Sequence, residues 1–378
     1  MKVITIGTDR NLFDEKSAVL SRQMEYASKM EGLHIIVFAL KKDSLSKKDQ
    51  GNLHIYPTNS RSKWFYILDA IKIGKEIIEK NGLSKGDFIV TTQDPFESGL
   101  VGYKLKKIFH FPLQIQIHTD FLSSYFKSNF LNRIRVFISK FVIPKADGIR
   151  VVSSVIADSV KNKFPNLKAK VDILPIFVDI ENILVDQIQS QINFPQFDFI
   201  VFMASRLERE KRIDVALYTL QKVISKFTRV GLVISGDGTE KNNLENLTNK
   251  LGISKNVIFL GWQDDARLYY QKSYTFLLTS EFEGYGMALI EAGAAGCPIV
   301  TTNVGIAKTN LFKDGENSFV CPVGDVDCLS DSVIKLISDP AKRSLFKERM
   351  RDSIRRVSIS REQYMPQYIG LLEKLLKN

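Results

Sequence analysis

The sequence predicts an α/β protein built from two doubly wound parallel-sheet domains in tandem. Three observations carry this expectation. The chain has 378 residues, too many for one ordinary hydrophobic core. Short apolar runs alternate with longer amphipathic segments of helical period, the pattern of helices covering both faces of a parallel sheet. The alternation lapses in a polar, irregular stretch at 179–195 and then restarts.

In the first half, strands are expected at 2–6, 34–40, 88–92, 113–118 and 148–153, with helical patterns at 17–30, 65–80 and 98–108 between them. In the second half, strands are expected at 199–204, 230–235, 257–260, 274–279 and 298–302. The helices there fall at 212–227, 241–251, 264–272 and 286–295. A last helix at 362–377 is expected to pack back on the first domain. The domains are accordingly placed at 1–190, joined by 362–378, and at 191–361. In such sheets ligands bind outside the strand C-termini, so a cleft between the domains is the expected site.

Composition narrows the function classes. A hydrophobic share of 44% and a charged share of 25% are those of a soluble globular protein. No apolar run approaches the roughly 20 residues that span a bilayer. The apolar stretch after Met1-Lys2 is short for a signal peptide and reads as a first buried strand, so a cytoplasmic protein is expected. Three cysteines (Cys297, Cys321 and Cys328), with no Cys-x-x-Cys pair, argue against a disulfide framework and a zinc site. The four histidines lack ligand spacing as well, so no metal and no cofactor is expected.

The net charge of +11 is uneven: the first 190 residues hold 28 Lys and Arg against 20 Asp and Glu. That balance suits an anionic partner, or general solubility. Nucleic acid is not expected, since no helix-turn-helix or aromatic platform signature accompanies the charge.

The richest segment is Ser280-Glu281-Phe282-Glu283-Gly284-Tyr285-Gly286-Met287-Ala288-Leu289-Ile290-Glu291. A strand ends, a loop with two glycines follows, and a helix begins near Gly286. The first amides of that helix, around Met287 and Ala288, form a ready phosphate site. Glu283 and Glu291 flank it and can accept hydroxyl hydrogen bonds from sugars or ribose; an acidic helix start with one solvated Glu gives the same pattern. Arg206 and Lys211 follow the first strand of the second domain and can meet a diphosphate, Arg as a planar fork and Lys as a point charge. A solvated basic loop is the alternative. Ser235-Gly236-Asp237-Gly238 is a glycine-rich strand-to-helix turn, and a plain tight turn explains it equally well.

As a set these elements resemble the C-terminal half of the GT-B glycosyltransferases, and most closely glycosyltransferase family 4. The likeness rests on Arg206-Leu207 with Lys211 five residues after the Arg, Gly236-Asp237-Gly238, Phe259-Leu260-Gly261, the pair Glu283 and Glu291, and Ala294-x-Gly296-x-Pro298. The resemblance implies a GT-B fold, two Rossmann-like domains facing a central cleft. It implies that Arg206 and Lys211 hold the diphosphate of a nucleoside-diphosphate sugar, with UDP favoured over GDP. By the same likeness Glu291 binds the ribose, Glu283 contacts the transferred sugar, and Gly236, Gly284, Tyr285, Gly286, Met287 and Ala288 complete the donor site. Transfer with retention and without a metal follows from the resemblance, as does a role in polysaccharide synthesis with a glycan, lipid-linked or small-molecule acceptor.

The first half is less similar. Its first loop, Gly7-Thr8-Asp9-Arg10, has one glycine where the family carries a glycine-rich loop. Gln116-Ile117-His118-Thr119-Asp120 places His118 at a strand end where the family sets a His against the donor sugar.

Asp325-Val326-Asp327 has the look of a metal signature, but it precedes a helical stretch and is expected to cap it. Cys297 is expected as a small buried filler. The segment 125–145 spaces Phe126, Phe130, Ile134, Phe137, Ile138 and Phe141 at helical intervals with Lys127, Arg133, Arg135 and Lys140 between them. Such a helix can lie on an anionic membrane surface at the inner face, or pack as an ordinary helix on its sheet. A nucleotide-sugar epimerase and a non-catalytic sugar-nucleotide-binding protein are the remaining alternatives.

Overall fold

The computed structural model describes residues 1–81, 88–183, 193–263 and 265–377. Met1–Pro175 with Glu362–Asn378 form one compact unit and Ile176–Arg361 a second. The division falls ahead of the expected 190 because Val178, Ile180 and Ile183 pack into the core of the second unit. Most of the remaining expected linker, 184–192, lies outside the described residues.

The first unit runs β1 (Lys2–Gly7), α1 (Ala18–Ser28), β2 (Gly32–Val37), β3 (Lys48–Gln50), β4 (Leu53–Pro57), α2 (Tyr66–Lys80) and β5 (Phe88–Thr92). It continues with α3 (Glu97–Phe109), β6 (Leu113–Ile117), α4 (Ser124–Lys127), α5 (Phe130–Val142), β7 (Gly148–Val151), α6 (Ser154–Lys163) and β8 (Lys170–Ile173). The sheet order is β3-β4-β2-β1-β5-β6-β7-β8, and every pairing is parallel except β3 with β4. Val3, Ile4 and Ile6 of β1 are fully buried, as a strand covered by helices on both faces requires.

The strands of this unit without an expectation, β3, β4 and β8, lie toward the sheet margins, as does β14 (Phe319–Cys321) of the second unit. Lys48, Asp49, His54, Lys170 and Asp172 break the apolar runs of β3, β4 and β8. The 125–145 segment is two helices rather than one. The Asn129 side chain accepts from the Leu131 amide at 2.8 Å and starts α5 afresh, as Ser123 does for α4.

The second unit runs α7 (Ile180–Ile183), β9 (Phe199–Ala204), α8 (Ile213–Ile224), β10 (Val230–Ser235), α9 (Lys241–Lys250), β11 (Val257–Gly261), α10 (Arg267–Lys272) and β12 (Thr275–Leu278). Then come α11 (Met287–Ala294), β13 (Ile299–Thr302), β14 (Phe319–Cys321), α12 (Val326–Ser338) and α13 (Pro340–Val357). Its all-parallel sheet is ordered β11-β10-β9-β12-β13-β14, so the winding reverses between β9 and β12. Alternate residues feed two cores: Leu232 and Ile234 join the one under α8 and α12, and Val233 joins the one under α10 and α11.

The chain ends in α14 (Arg361–Leu376), whose residues from Glu362 belong to the first unit. Tyr368 stacks on Tyr26 of α1 at 4.9 Å. Buried Arg150 donates to Gln116 Oε1 at 2.9 Å, to the Tyr364 hydroxyl at 2.8 Å and to the Leu174 carbonyl at 3.2 Å. These bonds satisfy a charge that would otherwise be costly so deep in the unit.

One cysteine expectation is overturned: Cys321 and Cys328 form a disulfide across a separation of 7 residues. The chain turns at Gly324 (φ +79°), which brings the end of β14 against the first turn of α12 with the two Cα atoms 5.8 Å apart. Spacing alone could not reveal that turn. Cys297 is buried, with its thiol pushed well above the usual range by desolvation. Asp325 caps α12, its Oδ1 accepting from the Cys328 amide at 2.9 Å, and Asp327 pairs with Lys222.

Candidate active site

The winding of the second sheet reverses between β9 and β12, and the loops leaving these two strands lie side by side. Such a reversal opens a crevice at the strand C-termini, the usual ligand position in doubly wound sheets. The loop after β9 carries Arg206 and ends in a short 3₁₀ turn at Arg209–Lys211. The loop after β12 carries Glu283.

Three contacts knit the loops together. The Thr279 hydroxyl donates to the carbonyls of Lys211 (3.1 Å) and Arg212 (2.9 Å). The Glu281 amide donates to the Glu210 carbonyl at 2.8 Å. Arg212 takes a left-handed conformation (φ 47°) at the start of α8, and the Thr279 bond helps hold it there.

Lys211 and Glu283 meet directly. The ammonium lies 2.7 Å from Glu283 Oε1, and both side chains are only 12% exposed. The Ser280 hydroxyl donates to the same oxygen at 2.7 Å. Glu283 Oε2 has no hydrogen bond among the described residues and remains open to a ligand hydroxyl. The Thr302 hydroxyl holds the Ser280 carbonyl at 2.7 Å, so the next strand, β13, braces this loop from below.

Glu291 stands further along α11, away from this pair. Its Oε2 accepts from the buried hydroxyl of Tyr270 at 3.0 Å, and burial raises the carboxyl above its usual range. Gly286 precedes α11 in a left-handed conformation (φ +103°), and no side chain caps the helix start at Met287 and Ala288. Those first amides therefore keep the anion-binding character of a helix N-terminus. Gly284 lies in the loop ahead of Gly286. The Tyr285 carbonyl accepts from the Ile306 amide at 2.9 Å.

Arg206 is placed differently. Its side chain is 61% exposed and reaches Glu210 at 3.0 Å, not Glu283. It is an exposed cation paired with Glu210, while Lys211 is nearly buried beside Glu283.

The Gly236 turn has a packing reason. A Cβ on Gly236 would sit 1.9 Å from the Ser205 carbonyl, and the residue's φ is +142°. A Cβ on Gly238 would fall 2.4 Å from the Leu207 carbonyl. These glycines let the β10 loop lie flat against the loop that carries Arg206, with Leu207 donating to the Asp237 carbonyl at 2.9 Å. Gly236→Ala is therefore expected to cost on the order of 2–3 kcal/mol and to displace Arg206, read as a lower melting temperature and weaker nucleotide binding.

His118 follows β6 in the first unit. Burial, then the charges of Arg150 and Arg22, push its imidazole down to about 3, so it is neutral at physiological pH. Its pKa in the unfolded chain is near 6.5, so between pH 6.5 and 3 the unfolded chain binds a proton that the fold refuses. Stability contributed by neutral His118 is present above pH 6.5 and is lost as the pH falls through that window. His118→Gln is expected to flatten that part of the pH–stability curve, measured by denaturant unfolding between pH 7 and 4.

Several participants carried no sequence signal. Thr279 and Thr302 are polar ends of apolar strands, a pattern that also fits ordinary capping, and Ser280 reads as part of the glycine-loop segment without a role of its own. Tyr270 reads from sequence as a core aromatic. Gly305 (φ +53°) lies under the loop, where a Cβ would meet the Tyr285 carbonyl at 2.6 Å.

Comparison with known proteins bears on the fold and the family. Residues 22–182 match the sequence family described as Glycosyltransferase Family 4, and residues 185–353 match Glycosyl transferases group 1. The chain is 31% identical over 155 residues to the lipopolysaccharide core biosynthesis glycosyltransferase LpsE of Rhizobium meliloti, which covers 41% of this chain and 45% of that protein. It thus spans about half the length of such relatives.

Among solved structures, sucrose-phosphate synthase from Thermosynechococcus elongatus superposes with a TM-score of 0.80 over 100% of both chains at 19% identity. HepE of Anabaena in complex with UDP superposes with a TM-score of 0.72 at 17% identity, over 99% of this chain and 100% of that one. Its fold is that of the GT-B glycosyltransferases, and each half of the chain matches a glycosyltransferase family model.

Proposed function

We propose that this protein transfers a hexose from a nucleoside-diphosphate sugar, UDP before GDP, to an acceptor hydroxyl in cell-envelope polysaccharide synthesis, with retention of anomeric configuration. The single observation that carries the reading is the nearly buried Lys211–Glu283 pair at the winding reversal of the second sheet, beside the uncapped start of α11. Support comes from the relative named for lipopolysaccharide core biosynthesis and from the UDP in the HepE complex.

In this reading the Lys211 ammonium, the exposed Arg206 guanidinium and the α11 amides receive the diphosphate. They stabilise the charge that develops as the bond from the anomeric carbon to the diphosphate oxygen breaks. The acceptor oxygen forms the new bond to that carbon, and its proton passes to the departing diphosphate oxygen. No separate protein base is then required. Glu283 Oε2 orients the transferred sugar, Glu291 takes ribose hydroxyls, and neutral His118 is the proposed sugar contact from the first unit. These groups supply the charge compensation without a metal, so turnover is expected to be unchanged by EDTA.

Transfer of labelled sugar from a UDP-sugar to a glycan or lipid-linked acceptor tests the proposal. Conversion of the donor with no acceptor present would favour an epimerase. Binding without any turnover would favour a sugar-nucleotide-binding protein. A melting temperature raised by UDP, and less by GDP or ADP, is the expected first result, because a bound ligand stabilises the fold by mass action.

The proposed acceptor side includes an anionic membrane surface. The described helices contain none long and apolar enough to cross a membrane. Helix α5, however, leaves Phe130, Leu131, Ile134, Phe137 and Phe141 exposed between basic residues.

A further inference from the structure

The Glu291 carboxylate is not free to turn. Oε2 accepts from the Tyr270 hydroxyl at 3.0 Å, and Oε1 has no hydrogen bond among the described residues. Tyr270 on α10 is 1% exposed. Its ring packs edge-on against Phe202 of β9 at 5.2 Å and Phe276 of β12 at 5.4 Å, the two strands that flank the winding reversal.

An aromatic nest of this kind would accept phenylalanine at no packing cost. The hydroxyl is the group that needs a reason, since a buried phenol is costly without a partner. Its side-chain partner here is a carboxylate on the helix that bounds the crevice.

We infer that Tyr270 is a positioning residue that locks Glu291 with one oxygen presented to the nucleotide, so that Tyr270 sets how strongly the site selects a ribose hydroxyl. The inference rests on the proposed reading of Glu291 as the ribose acceptor. The buried phenol occupies one acceptor position of Oε2 and holds the carboxylate plane, with Oε1 unbonded among the described residues and available to the ligand. A carboxylate already immobilised loses less freedom when it binds, and a site built to bond a hydroxyl rejects an analogue lacking it. Desolvation of Glu291, opposed by the Tyr270 hydrogen bond, is consistent with this arrangement.

The test measures dissociation constants for UDP and for its 2′-deoxy and 3′-deoxy forms by calorimetry, on the full chain, with melting temperatures recorded in parallel. Wild type is expected to prefer UDP over at least one deoxy form by about tenfold or more, the range of a hydrogen bond to a charged group. Tyr270→Phe keeps the ring and is expected to retain the fold while its preference falls to about threefold or less. Glu291→Asp, which keeps the charge but withdraws it from the phenol, is expected to lose the preference too. Adding Tyr270→Phe to Glu291→Asp should then change nothing further.

A wild type without preference, or a Glu291→Ala variant that keeps it, would overturn the ribose reading itself. If Glu291→Ala abolishes the preference and folded Tyr270→Phe retains it, the ribose reading stands and the positioning role is refuted. If Tyr270→Phe fails to fold, Glu291→Asp decides: full preference in that variant refutes the positioning role.

Discussion

Glu283→Ala is expected to lower the rate of sugar transfer by about two to three orders of magnitude while UDP still binds within a few-fold of wild type. The rate effect has the size found when one preorganised group facing a developing charge is removed. The structure adds a second consequence. Glu283 is the anion beside Lys211 at 2.7 Å, with both side chains 12% exposed, so its loss strands a nearly buried ammonium.

Breaking such a pair from one side costs about 3 kcal/mol or more, because the remaining charge keeps its desolvation penalty. The empty variant should therefore melt earlier than wild type. UDP should raise the melting temperature of the variant by about as much as that of wild type, because an affinity within a few-fold gives a similar stabilisation by mass action, so the deficit persists in the complex. Lys211→Ala differs in kind: transfer and UDP affinity should fall together. The double variant should be more stable than the Glu283→Ala single, because no orphan charge remains. Unchanged turnover in Glu283→Ala would remove this residue from the site.

The second large effect concerns membrane contact. Phe130 and Phe137 are 72% and 73% exposed on α5, and Leu131, Ile134 and Phe141 extend the same surface. Residues 101–150 carry nine Lys and Arg against two Asp and Glu. Of these cations, Arg135 is engaged by Glu97 at 3.0 Å and Lys106 by Asp147 at 2.7 Å, while Lys127, Arg133 and Lys140 have no ion pair among the described residues.

Apolar side chains rimmed by such cations fit the boundary of an anionic bilayer. Each Phe inserted contributes about 1.5–3 kcal/mol. Phe130→Ser with Phe137→Ser should thus weaken binding to vesicles containing phosphatidylglycerol by at least two orders of magnitude, read by sedimentation at low salt. Raising the salt should weaken wild-type binding as well, through screening of the cations. Wild type that leaves such vesicles untouched would exclude the membrane surface as a partner.

The fold was legible in the sequence because its signals are local. Runs such as Val230 to Ser235 and Phe199 to Ala204 are almost wholly apolar, as buried parallel strands are, and they form β10 and β9 to the residue. Legibility failed where a neighbour rather than the run itself decides. The edge strand β8 carries Lys170 and Asp172 because one side of it lacks a partner strand among the described residues. Helix α5 begins at Phe130 because the Asn129 side chain caps it, a local device lost within a longer amphipathic pattern.

For the site, the sequence by itself determined which chemistry is present: two cations after one strand, two glutamates around a glycine loop after another, and the spacing that resembles family 4. Tertiary structure alone decided how that chemistry is paired. It joined Lys211 to Glu283 across 72 residues and left Arg206 outside with Glu210. It tied Glu291 to Tyr270 and closed the Cys321–Cys328 bond that the cysteine spacing argued against. The physical reason is that hydrogen bonds and ion pairs act over about 3 Å, a distance set by which strands become neighbours in the sheet and not by separation along the chain.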